Sequence, residues 1–239
     1  MRIAVTGTNG VGKSTFIESM MNTWKCFSVP EKSFRDDIKE RYTTEVDADR
    51  QQTILDSMVD QLRTYGKKDN IIYDRCPVDN LVYTLYGYAH GDDADDDNIT
   101  EEFVLKSAAA LKEALRMIDL ILFIPITSQD NINIESNLEG KGDLDVSYAK
   151  EIDHIFKALY KEWDKRGSPY VDFEDKPHVV EVFGTPEERI ELAKLYIDVT
   201  GEAFGEGQII KPDELEDLHH MNELLTQQEE LTEDSRLDI

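Results

Sequence analysis

Eight residues near the amino terminus, Gly7-Thr8-Asn9-Gly10-Val11-Gly12-Lys13-Ser14, constrain this chain more than any other feature. They fit the spacing GxxxxGK[ST], they follow a strand-like run from Ile3 to Thr6, and they open a segment of helical periodicity from Lys13 to Trp24. In a strand-turn-helix of this kind the glycines let backbone N–H groups turn inward, and the helix N-terminus adds the positive end of its dipole, so phosphate groups are the expected ligand. Lys13 is expected to bridge β- and γ-phosphate oxygens, and the Ser14 hydroxyl to hold Mg²⁺; Thr15 continues the same turn. A nucleotide triphosphate such as ATP follows as cofactor, but the loop alone does not separate a kinase from a motor or a switch.

The surroundings of the loop define a fold class. Short apolar runs at Ile3 to Thr6, Cys26 to Val29, Ile71 to Asp74, Leu120 to Ile124 and Val179 to Phe183 alternate with helical segments. These segments are about Lys13 to Trp24, Ala48 to Tyr65, Val78 to Tyr88, Glu101 to Ile118 and Ser147 to Arg166, with a last one from Thr185 to Ile197. The alternation predicts a doubly wound α/β fold, a parallel sheet with helices on both faces. Thr185-Pro186-Glu187-Glu188 reads as a capped helix start, with Thr185 as N-cap, Pro186 in the first turn and Glu188 closing a capping box.

In such a sheet, ligands gather at the carboxyl ends of the strands. Asp74 and Arg75 stand at the end of the third apolar run, where Asp74 can orient Mg²⁺ or anchor an acceptor and Arg75 can neutralise phosphate charge. Glu31, after Pro30 at the end of the second run, can accept a proton from an acceptor hydroxyl. Lys32, Arg35, Lys39, Arg41 and Tyr42 form the compact basic stretch beside that edge, and Tyr83, Tyr86 and Tyr88 read mainly as core aromatics.

Composition limits the partners. The 239 residues carry 51 Asp and Glu against 26 Lys and Arg, a formal net charge of -25, so general affinity for nucleic acid or anionic membrane is not expected. Gly91 to Glu102 holds seven acidic residues and no basic one, and Pro212 to Ile239 holds ten acidic residues against one arginine. Both read as solvated segments, the second with a leucine spacing that hints at a helix. Residues 1–200 are therefore expected to form the nucleotide-binding domain, with a lid at about 128–147, a linker at 201–211 and an acidic tail at 212–239. Cys26 and Cys76 are too few for a disulfide framework, and no apolar run approaches a membrane span, so a soluble cytoplasmic protein is expected.

Taken in order, the loop Gly7 to Ser14, Pro30-Glu31, Asp74-Arg75 with Pro77 and Asp79, and Gly184-Thr185-Pro186-Glu187 resemble the thymidylate-kinase-like group of P-loop kinases. The resemblance covers roughly residues 1 to 198. It implies a five-stranded parallel sheet of order 2-3-1-4-5, ATP as donor, Mg²⁺, a closing lid, and Thr185 and Pro186 against the ATP base. Glu31 sits where nucleoside kinases of this group place a general base, which favours a hydroxyl acceptor on a deoxypyrimidine-type nucleoside or nucleotide. Bacteriophage kinases acting on 5-hydroxymethyluracil within DNA share that resemblance, so a modified DNA base in a host cytoplasm is a second form of the same acceptor. A nucleoside monophosphate kinase of thymidylate-kinase type is the alternative, and an ATP-dependent switch using the acidic tail is the alternative of another class. Unlike thymidylate kinase, the loop carries Thr8 and Asn9 rather than an acidic residue, and the lid supplies only Lys141 as a cation. Whether the protein pairs as a homodimer is left open.

Overall fold

The sheet has four short strands, of which three are buried almost end to end, as strands covered on both faces must be, while the last, at one edge, has a single buried residue. In the computed structural model the four are β1 (Arg2–Thr6), β2 (Ile71–Asp74), β3 (Leu120–Phe123) and β4 (His178–Glu181), all parallel, in the order β2-β1-β3-β4. The structure describes residues 1–37, 46–91, 99–128, 134–140, 144–163, 165 and 167–203. Lys39, Arg41, Tyr42, Lys141, most of the acidic excursion and the tail lie outside the described residues. The elements belong to one compact unit, Met1–Glu202.

The expected five-stranded sheet is corrected to four. The segment Cys26 to Val29 reaches the outer edge of β2, but it pairs through a single parallel bridge between Ser28 and Ile71. Ser28 N donates to Asn70 O at 3.0 Å, and Ile72 N donates to Ser28 O at 2.8 Å. The next rung would need an N–H from residue 30, which is Pro30, so the ladder stops after one step. The expected strand order is otherwise retained, with its outermost member reduced to this bridge.

Seven helices are seen among the described residues: α1 (Lys13–Thr23), α2 (Ala48–Tyr65), α3 (Pro77–His90), α4 (Glu101–Leu115), α5 (Ile134–Leu138), α6 (Val146–Trp163) and α7 (Pro186–Ala193). Phe34–Asp37 forms a 3₁₀ turn. Asp47 caps α2 by accepting from Arg50 N at 2.7 Å, and Thr100 caps α4 by accepting from Phe103 N at 3.2 Å. Thr185 and Glu188 close the expected capping box on α7. Within the segment expected to be a polar lid, α5 forms a short helix whose Leu138 is buried. Among the described residues no helix is long and apolar enough to cross a membrane.

Because side chains alternate across a strand, the sheet faces two cores. Ala4, Ile71, Tyr73, Ile121 and Phe123 join residues of α2, α3, α4 and α6 in the larger one. Ile3, Val5, Ile72, Leu120 and Leu122 are buried on the opposite face, the side of α1, which packs against both β1 and α7. Phe156 of α6 is fully buried, with its ring 5.4 Å from Phe123 and 6.1 Å from Tyr160. Phe156→Ala should destabilise the protein by about 3 to 5 kcal/mol. The check is denaturant unfolding, in which the midpoint drops while the slope is retained.

Candidate active site

The turn from β1 into α1 has the geometry its glycines foreshadow. Gly7 has φ +136° and its Cα faces the chain after β3 so closely that a Cβ there would lie 2.6 Å from Ile124 O. Gly12, at φ 86°, is the N-cap of α1 and supplies no side-chain cap. While α2, α4 and α7 use Asp47, Thr100 and Thr185 on their first N–H groups, α1 keeps its own for an anion. Lys13 is buried, and its Nζ donates to Gly7 O at 2.8 Å and Thr8 O at 2.5 Å. Burial, helped by the neighbouring Arg75, holds its pKa well below the usual lysine value. Ser14 and Thr15 are exposed on the first turn.

At the end of β2, Arg75 adopts a left-handed backbone, φ 78°, that a non-glycine residue occupies only when its surroundings enforce it. Its buried guanidinium donates to Asp79 Oδ1 at 2.8 Å, Asn9 Oδ1 at 2.7 Å and Gly7 O at 3.3 Å, and it lies 5.3 Å from the centre of the Tyr83 ring. Burial lowers the Arg75 pKa, but Tyr83, Asp79 and Asp74 outweigh it and raise the net value. Burial pushes the Asp79 carboxyl up, even though that group also accepts from Cys76 N at 3.1 Å. Asp74 receives both arms of Arg35, at 2.6 and 3.2 Å. Burial opposes the Asp74 charge, yet Arg35 and Lys13 hold its pKa below the ordinary value, so it is ionised at neutral pH.

Of these groups Asn9, Lys13, Arg35, Arg75, Asp79 and Tyr83 border a cavity of about 340 Å³, which Asp74 does not line. One end is the phosphate loop, with Asn9, Gly10, Gly12, Lys13, Ser14 and Thr15; the other is formed by Phe34, Ile54, Met58, Gln51, Asn80 and Tyr148. Among the described residues Lys13, Arg35, Arg50 and Arg75 line it against one carboxylate, Asp79, so an acidic protein encloses a locally cationic chamber. Within it, Asn80 Nδ2 donates to Gln51 O at 2.9 Å and Gln51 Oε1 at 2.8 Å, which fixes the amide orientation and leaves Asn80 Oδ1 buried without a donor.

Three elements pin three successive loop residues. Asn9 Nδ2 donates to Tyr83 OH of α3 at 3.0 Å, Asn137 Nδ2 of α5 donates to Gly10 O at 2.8 Å, and Arg189 Nη1 of α7 donates to Val11 O at 2.8 Å.

Of the residues expected from sequence, the loop, Asp74 and Arg75 are brought together. Glu31 is not. It is exposed, lies in the loop that follows Pro30 rather than at a strand end, and does not line the cavity. Thr185 and Pro186 follow β4 at the same sheet edge, but Thr185 Oγ1 is used as a helix cap and neither lines the cavity. Sequence reading passed over Arg50, Gln51, Asn80, Asn137 and Arg189 as site residues. A signal existed for Gln51, which occupies the stripe Gln51, Leu55, Met58, Leu62 on the buried face of α2, where a polar residue is out of pattern.

Toward a Mg²⁺ ion Ser14 offers an exposed hydroxyl, whereas both oxygens of the ionised Asp74 carboxylate accept from Arg35, so Asp74 could serve only by releasing one of them; among the described residues no cluster of three or more His, Cys, Asp or Glu could hold a metal. Magnesium bound to a triphosphate needs one or two such protein groups, its remaining sites being filled by phosphate oxygens and water.

Comparison with solved structures places the fold. Deoxyadenosine kinase from M. mycoides, with products dCMP and a flexible dCDP bound, superposes with a TM-score of 0.56 at 16% identity, covering 81% of this chain and 96% of that one. Thymidylate kinase from Candida albicans gives 0.52 at 16% identity over 81% and 89%. NadR protein in complex with NR gives 0.54 at 15% identity over 85% of this chain and 53% of that one. No curated protein sequence matches this chain. The family described as AAA domain matches residues 2–178, most of the chain. A strand-loop-helix phosphate cradle, a parallel sheet in the kinase order and this match agree: the chain belongs to the AAA-domain family and has the fold of the P-loop nucleoside and nucleotide kinases.

Proposed function

We propose that the protein is an ATP-dependent kinase that transfers the γ-phosphoryl group to a deoxypyrimidine-type nucleoside or nucleotide. The observation that carries this reading is the single cavity running from the Lys13 and Ser14 end to the amide pair of Gln51 and Asn80. A switch needs the first end but not the second. Thymidylate kinase, which shares the fold, is named for an acceptor of this class, and deoxyadenosine kinase, which also shares it, for a purine deoxynucleoside.

The residues divide the work along the cavity. Lys13, drawn off the Gly7 and Thr8 carbonyls, neutralises charge between the β- and γ-phosphates while the α1 amides cradle them. Arg75, locked by Asp79 and Asn9, stands over the same region to meet charge that grows in the transition state. Ser14 and Asp74 would hold Mg²⁺, which supplies further neutralisation of the phosphate oxygens. At the far end Asn80 Oδ1 asks for an N–H donor, as a pyrimidine ring edge provides, between the apolar walls of Phe34, Ile54 and Met58.

Two acceptor forms remain to be separated. A hydroxyl acceptor, free or as a hydroxymethylated pyrimidine in DNA, requires a base, and Glu31 is the residue proposed for it. A nucleoside monophosphate of the thymidylate-kinase kind requires none, and among the described residues the four cavity cations with a single, fully engaged carboxylate favour an acceptor that carries a phosphate of its own.

The test is γ-labelled ATP offered with thymidine, thymidine monophosphate, and plain or hydroxymethylated DNA. Label should pass to one of these, and Lys13→Met should reduce the rate by about 10² to 10³-fold without unfolding the protein. Label found only in inorganic phosphate would overturn the kinase reading. Glu31→Gln separates the acceptors: with a hydroxyl acceptor the rate should drop by about 10² to 10⁴-fold, and an unchanged rate rejects Glu31 as the base.

The lowered Lys13 pKa also gives ATP binding a pH dependence. Bound phosphate favours the protonated amine, so affinity should be greatest at low pH and fall, by up to about tenfold per pH unit, as pH rises through a value below the ordinary 10.5. Calorimetric titration between pH 6 and about 10 measures it. A flat profile in the wild type, or the same slope in Lys13→Met, would contradict the assignment.

A further inference from the structure

We propose that Arg189 is a positioning residue for the donor triphosphate, acting through the back of the phosphate loop. The inference rests on the reading of that loop as an ATP site. Arg189 lies one turn into α7, held by the capping box, with Arg189 N donating to Thr185 O at 3.0 Å. Its side chain is 3% exposed and extends to the start of α1, where Nη1 donates to Val11 O at 2.8 Å. The same nitrogen would sit 3.4 Å from a Cβ at Gly12, so the guanidinium packs on the bare Cα of the α1 N-cap.

Two consequences follow from this placement. Fixing the Val11 carbonyl holds the adjoining peptide, and with it the N–H of Gly12, in the orientation that an anion cradle uses. A guanidinium is charged at any working pH, and its contact with Val11 O puts this one beside the N-terminus of α1, which has no side-chain cap, where a cation reinforces the attraction of the helix dipole for an anion. The described lid residues carry no arginine, and the cations that reach the loop come instead from α1, the end of β2 and α7. Arg189 also joins the turn after β4 to the phosphate loop, so two parts of one sheet edge are set by one side chain.

The test uses the full chain and measures equilibrium affinity for ATP·Mg and, separately, for inorganic tripolyphosphate, which reports the phosphate site without a base or an acceptor. Arg189→Met should weaken both by about tenfold or more, the scale of one hydrogen bond to a charged group. Arg189→Lys, which returns a cation of similar reach, should recover affinity to within about threefold of wild type. Arg189→Gln, polar but uncharged, should resemble Met, and it replaces Met if that variant does not fold. Thermal melting without nucleotide accompanies each variant. Wild-type affinity in Met or Gln overturns the proposal, and so does a Lys variant as weak as Met, because packing alone would then account for the loss. A wild-type protein that binds neither ligand would instead overturn the ATP-site reading itself.

Discussion

The site depends on one buried ion pair, Arg75 with Asp79. It joins the end of β2, the first turn of α3 and the phosphate loop, because Arg75 reaches Gly7 O and Asn9 while Asp79 accepts from Cys76 N. A pair this deeply buried yields little net stability, but removing one partner strands a charge, so its value lies in fixing geometry. The left-handed backbone of Arg75 is consistent with that. The strain at φ 78° is tolerated because Asp79, Asn9, Gly7 and Tyr83 all hold the guanidinium in place.

Around that pair the chain concentrates cations against its own average. Lys13, Arg35, Arg50 and Arg75 share a chamber in a protein of net charge -25. Burial, helped by the neighbouring Arg75, lowers the pKa of Lys13, and a bound polyphosphate would favour its protonated form. Asp74 moderates the field by pairing with Arg35, which keeps a carboxylate ionised at the sheet edge.

What could be read from the sequence follows the range of the interactions involved. The phosphate loop and the capping box of α7 are local, with fixed spacings that only one backbone path satisfies, and both stand as expected. The strand at Cys26 to Val29 was misjudged because apolar character was weighed without asking what Pro30 denies the next rung, and the place of Glu31 went with it. Arg189 and Asn137 could not be found from spacing, since their partners Val11 and Gly10 lie more than 120 residues away. Asn80 follows Asp74 closely, but its role appears only when Gln51 of α2 is seen to fix its amide. The family match and the shared fold with nucleoside and nucleotide kinases support the reading of the sheet, while the end of the cavity proposed for the acceptor depends on side chains that this fold does not dictate.

In the proposed reading the donor triphosphate and the acceptor meet in one continuous cavity, with the phosphate loop at one end and Gln51 and Asn80 at the other. The most direct test of that reading is the affinity of a dinucleoside polyphosphate that joins adenosine to a deoxypyrimidine nucleoside, compared by calorimetry with ATP and with the nucleoside alone. Two ends bound at once should make the joined ligand tighter than either half by about 10² to 10⁴-fold. A joined ligand that binds no better than ATP would contradict the account, because the two ends of the cavity would then not be sites for the two halves of one reaction.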